Sequence, residues 1–148
     1  MKTLASVFLF IVIALIQACS DGDTSVDSLP VSEGPVPNDF VGTYVGTLSA
    51  TARSGFLEES ATNPITIIVS PDNTLRFQGD DPEEVFVTTI GSNGNFNGSI
   101  PVDVDDCSGT VDVSGNVDGT VASGDLGGTG DCSGLSVGVS GDFSAIRQ

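Results

Sequence analysis

From Asn38 to the C-terminus the chain alternates with a period of two, and nothing else in the sequence limits its fold so strongly. Tyr44, Gly46, Leu48 and Ala50 share one parity, with Val45, Thr47, Ser49 and Thr51 on the other. Leu75 and Phe77 alternate with Arg76 and Gln78. Phe96, Gly98, Ile100 and Val102 fall on one side, as do Cys107, Gly109, Val111 and Val113. Leu135, Val137, Val139, Gly141, Phe143 and Ala145 repeat the pattern. Successive side chains of a strand point to opposite faces, so this pattern builds antiparallel sheet with one buried face. No stretch of this region carries a helical period.

Turn-forming residues divide the region into eight strands, at about 41–52, 64–70, 74–79, 85–90, 95–102, 107–113, 116–123 and 135–146. Three links are short: Pro71-Asp72-Asn73, Gly91-Ser92-Asn93-Gly94 and Ser114-Gly115. Asn93-Gly94 suits a type I′ hairpin, which needs positive φ at both central residues. An even number of hairpin-linked strands can close on itself and remove both sheet edges. The expected fold is therefore all-β, a small eight-stranded antiparallel up-and-down barrel. A β-sandwich of the same strands is the alternative. Tyr44, Leu48, Ile67, Leu75, Phe77, Phe96, Ile100, Val111, Val121, Val137 and Phe143 are the expected inward side chains.

In such a barrel the links alternate between two ends. The short turns fall at one end, and the longer links 53–63, 80–84, 103–106 and 124–134 at the other. That second end gathers Glu58, Glu59, Asp80, Asp81, Glu83, Glu84, Asp103, Asp105, Asp106, Asp125 and Asp131. The whole chain of 148 residues has 20 acidic and 4 basic residues, a formal net charge of −16. Such a surface repels nucleic acid rather than gripping it. There is no His, which removes the usual general base and the commonest transition-metal ligand. Ser and Cys nucleophiles therefore lack their customary partner, and no enzyme activity is expected.

The N-terminus reads as an address. Lys2 precedes an apolar run from Leu4 to Ile16, interrupted only by Ser6. As a helix this run reaches about 20 Å, short of a roughly 30 Å hydrocarbon core, so it suits a signal-peptide core. Leu15-Ile16-Gln17-Ala18-Cys19 follows and resembles the lipobox of bacterial lipoproteins. The resemblance implies cleavage before Cys19, lipid on its sulfur, and attachment to a membrane of the bacterial cell envelope through that lipid. Acyl chains at Cys19 suffice for stable anchoring. Ser20 after the Cys, rather than Asp, points to the outer membrane. With Cys19 assigned to lipid, Cys107 and Cys132 remain, and an exported protein is expected to join them as a disulfide. Residues 1–18 are thus read as a signal peptide and 19–37 as a lipidated Cys with an acidic, Pro-containing disordered tether. Residues 38–148 form the barrel.

Phe40-Val41-Gly42-Thr43-Tyr44 resembles the Gly-x-Trp signature on the first strand of lipocalins and related calycin barrels, with Tyr44 in place of the Trp. The resemblance implies a closure contact between Tyr44 and an Arg at the end of the last strand, here Arg147, through a cation–π interaction. It also implies the alternative function, a carrier of a small apolar ligand with Phe56 and Leu57 of the first long link as its lid. The acidic end suggests a second type of ligand. Asp80, Asp81, Glu83, Glu84, Asp103, Asp105 and Asp106 offer the oxygen ligands that Ca²⁺ takes, although their spacing is not that of an EF-hand. Gly127-Gly128-Thr129-Gly130-Asp131 resembles one Ca²⁺-binding nonapeptide repeat with its Asp one place early. The leading expectation is a non-enzymatic barrel that presents an acidic loop face to cations or to an unknown protein partner. A periplasmic inhibitor is a third reading.

Overall fold

The computed structural model describes residues 39–79, 85–104 and 106–148. The leader, Cys19 and the tether lie outside the described residues, as do Asp80, Asp81, Glu83, Glu84 and Asp105. The eight strands are β1 (Gly42–Ser54), β2 (Leu57–Val69), β3 (Thr74–Gln78), β4 (Val85–Thr89), β5 (Asn95–Val104), β6 (Cys107–Val117), β7 (Val121–Cys132) and β8 (Leu135–Arg147). They form one antiparallel sheet in the order β4-β3-β2-β1-β8-β7-β6-β5, an up-and-down barrel rather than a sandwich. The first and last strands pair along most of their length, from Tyr44 opposite Arg147 to Arg53 opposite Gly138. The seam lies elsewhere, between β4 and β5, where among the described residues a single bridge joins Ile90 to Phe96. The Thr88 hydroxyl adds a bond to the Asn97 carbonyl at 2.5 Å.

Aromatic packing covers what the ladder leaves open. Phe77 of β3 lies 5.1 Å from Phe143 of β8, centroid to centroid, with the rings perpendicular. It also meets Phe86 of β4 at 6.0 Å and Phe96 of β5 at 5.7 Å. Edge-to-face pairs at these separations are favoured by the ring quadrupole. Around them Tyr44, Ile65, Ile67, Val69, Leu75, Ile90, Val113 and Val117 complete a buried cluster in the half of the barrel where the chain enters at Asp39. The opposite, distal half is lined by smaller residues: Ala50, Ala52 and Val137, with Ala61, Val139 and Cys132 beside them.

The strands run further than their sequence suggests. The links expected at 53–63 and 124–134 are mostly strand. Two-residue turns replace them, Gly55-Phe56 between β1 and β2 and Ser133-Gly134 between β7 and β8. Both Ser133 (φ 53°) and Gly134 (φ 80°) take positive φ, so the type I′ geometry falls here. At the expected site, Gly94 alone has positive φ, and its N–H bonds the Gly91 carbonyl at 2.9 Å. The turn expected at Ser114-Gly115 is continuous β6, and the chain reverses instead at 118–120. Asp118 shapes that reversal by accepting bonds from the Thr120 and Val121 N–H groups at 2.9 and 2.8 Å.

The differences at 114–115 and 124–134 share one cause. Gly115 and Gly124 look like turn formers but face the interior, where Phe rings occupy the place of a side chain. A Cβ on Gly115 would stand 2.6 Å from the Phe96 ring, and one on Gly124 would stand 2.7 Å from that of Phe143. The parity of β7 accordingly places Ala122 inside, fully buried, and turns Val121 outward, contrary to expectation. Outside, the walls carry Thr, Ser and Asp, the reverse of a membrane barrel's apolar exterior.

Gly115→Ala should destabilise the protein by about 1–3 kcal/mol through overpacking. Gly138→Ala, where nothing lies within 4 Å of the new carbon, should leave stability unchanged or slightly raised. Urea unfolding of the two variants side by side makes the comparison.

Candidate functional site

The distal end is built from three hairpin tips laced together. Strands β1 and β2 pair to the last residue, with Ser54 opposite Leu57. The Ser54 hydroxyl then crosses to the Ser136 carbonyl of β8 at 2.9 Å. The Ser133 N–H of the β7–β8 tip bonds the Asp106 carbonyl of the β5–β6 turn at 2.9 Å. Asp131 accepts the Gly134 N–H at 2.8 Å and fixes its own turn. The Cys107–Cys132 disulfide joins residues directly opposite one another on β6 and β7. It staples two paired strands, because the stretch expected as the 124–134 link is strand up to Cys132.

Acidic residues crowd this end. Glu58 pairs with Arg53 at 2.8 Å, both well exposed, so the pair adds little to stability. Glu59 lies half-buried across from Ala52. Asp103, Asp106 and Asp131 are exposed. Asp125 is displaced from the rim, because 124–131 is strand. It stands on the outer wall directly opposite Asp142, a like-charge pair that costs stability.

The candidate ligand residues sort unevenly. Phe56 and Leu57 project from the β1–β2 tip, with Phe56 fully exposed and Leu57 54% exposed. Leu135, also 54% exposed, stands beside them at the start of β8 and was not singled out from the sequence. Its signal was present: an apolar residue directly follows Ser133-Gly134, as Leu57 follows Gly55-Phe56. Of the calcium candidates, only Asp103 and Asp106 lie among the described residues. Among the described residues no three His, Cys, Asp or Glu side chains gather to hold a metal ion. The glycine run 127–130 is strand, with Gly128 and Gly130 packed against β6, and not a calcium loop. A cavity of about 30 Å³ lies against the disulfide, between Val102, Val111, Val137 and Val139. That is room for about two waters, far below the roughly 300 Å³ at which small-molecule sites begin.

The entry end is a clasp. Tyr44 is fully buried, and its hydroxyl donates to the Phe40 carbonyl at 2.8 Å. Burial raises its pKa, an effect partly offset by the charge of Arg147. Arg147 stands opposite Tyr44 and donates to the carbonyls of Asp39, Gly119 and Val41 at 2.9, 3.2 and 2.7 Å. One guanidinium thus ties the incoming chain and the β6–β7 turn to β8.

No protein-family model matches the chain, and no curated protein matches it.

Two predictions concern the entry end. Arg147→Lys cannot reproduce the planar fork on three carbonyls. It should speed amide exchange at Thr43 and Tyr44, read by hydrogen-exchange NMR, while leaving the β7–β8 ladder protected. Asp118 has its pKa held below the ordinary aspartate value of 3.8, first by the Val121 N–H and then by Thr120. A depressed folded pKa stabilises above the unfolded value and loses that contribution as pH falls through the folded one. Asp118→Ala should therefore lower the melting temperature at pH 7. The gap to wild type should narrow as pH drops below 3.8.

Proposed function

We propose that this is an exported, lipid-anchored, non-catalytic binding protein of the bacterial envelope, attached to the outer membrane through Cys19, whose barrel offers its acidic distal end to a protein partner. One observation carries the reading. The described chain enters at Asp39, and Glu58, Glu59, Asp103, Asp106 and Asp131 cluster at the opposite end, on tips held rigid by cross-links. An anchor at the near end aims that surface away from the lipid. The acids would steer and select a basic surface, raising the association rate more than the final affinity. The carrier reading is less well supported, because phenylalanine rings fill the entry half and the distal cavity is small.

Replacing Cys19 by Ala should move the protein from the membrane fraction to the soluble one. Retention with membranes would refute the anchor. Neutralising Glu58, Glu59, Asp103 and Asp106 together should weaken binding of a Lys-rich peptide and flatten its dependence on salt. Calorimetric titration with Ca²⁺ tests the cation alternative directly: heat that disappears in the same variant would assign the acidic end to the ion.

A further inference from the structure

The distal tips carry a feature that charge alone does not explain. Phe56 is exposed over its whole surface, and Leu57 and Leu135 over half of theirs. The β1–β8 pairing and the Ser54–Ser136 bond place the two tips side by side. Leu57 and Leu135 share the inward parity of Ala61 and Val137, so they stand at the mouth of the barrel on either side of β1. A single exposed leucine is ordinary, but an aromatic and two leucines on adjoining rigid tips make a patch of the kind that marks interaction sites. Below it the interior is lined by the buried cluster of Ala50, Ala52 and Val137.

We infer that Phe56, Leu57 and Leu135 are the anchor of the proposed protein interface, and that the partner offers an apolar side chain or pocket bordered by Lys or Arg. The inference rests on the binding reading above and deepens it. The border follows from charge complementarity: Glu58, Glu59 and Asp131 lie within a few residues of the patch, and Asp106 accepts the Ser133 N–H of the same tip. A second copy of a chain with net charge −16 is disfavoured by the same repulsion, as is an anionic lipid surface. Aromatic residues at the centre of a charged rim are the usual seat of binding energy, with the rim setting specificity. Strands of 13 residues, tilted as in closed barrels, put the tips roughly 30 Å from the entry point, clear of whatever anchors the chain.

The test uses the full chain carrying Cys19→Ala and two synthetic probes. One is a Lys-rich peptide containing one Phe and one Leu; the other has both replaced by Ser. NMR titration should show the apolar peptide binding at least about tenfold tighter, with shifts concentrated at 54–58 and 133–137. The combined variant Phe56→Ser, Leu57→Ser, Leu135→Ser should bind both peptides with the weaker affinity while keeping its melting temperature. Equal affinity of the two peptides for wild type would overturn the apolar anchor and leave the acidic reading standing. Failure of both to bind at the distal end would overturn that reading itself. Attachment to phosphatidylcholine vesicles lost in the triple variant would assign the patch to lipid and overturn the protein partner. Dimerisation lost in that variant would assign it to a second copy.

Discussion

Four phenylalanine rings hold this barrel shut. The hydrogen-bond ladder runs continuously from β4 round to β5 and then fails, leaving among the described residues one bridge, at Ile90 and Phe96. Phe77, Phe86, Phe96 and Phe143 come from four different strands and meet across that gap. Their packing requires the absence of side chains elsewhere. Gly98 faces Phe86, Gly115 faces Phe96 and Phe143, and Gly124 faces Phe143, each at a distance that no Cβ tolerates without displacing the ring. Closure is therefore a matter of complementary volume, large rings against bare backbone, as dense interiors demand.

The same complementarity decided what could be read from the sequence. Alternation is local, so strand identity, the strand count and the meeting of β1 with β8 were all legible. The lengths of the strands were not. Glycine is ordinarily evidence for a turn, and 114–115 and 124–134 carry that signal. What distinguishes Gly124 from a turn glycine is the Phe143 ring pressed on it, and that contact belongs to the tertiary structure. Gly134, by contrast, takes φ of 80° and is a true turn residue, although it closes the same glycine-rich stretch. Alternating links fix which tips share a side, so the placing of Glu58, Glu59, Asp103, Asp106 and Asp131 was legible, whereas that of Asp125, mid-strand in β7, was not. The lid role of Phe56 and Leu57 depended on a loop long enough to fold back, and the loop is two residues long.

The two halves of the barrel are stabilised differently. The entry half has a conventional core, with Tyr44, Ile67, Leu75 and Ile90 entirely buried. The distal half buries Ala50, Ala52, Val102, Cys107, Val111 and Val137, smaller side chains that contribute less transfer free energy than large apolar ones. In their place stand the disulfide, the bond between Ser54 and Ser136, and the capping of the last tip by Asp131. Cross-links hold geometry without filling space. The distal tips can therefore be rigid while their apolar residues remain outside, which a core-based construction would not permit.

Exposed apolar tips and incomplete closure would ordinarily invite aggregation. β2 pairs with β3 only from Thr66 onward, and β5 is laddered on one side only. Pro64 and Pro101 fall on these one-sided stretches. A proline offers no N–H to an added strand, so each blunts an edge that could otherwise recruit another chain. Charge acts over longer range: a net −16 keeps copies apart before edges can meet. The like-charged pair Asp125 and Asp142 is one local cost of that arrangement. Edges blunted in this way and copies repelled by charge leave the apolar tips exposed without a strand edge beside them, and the acids around them favour the approach of positive rather than negative charge.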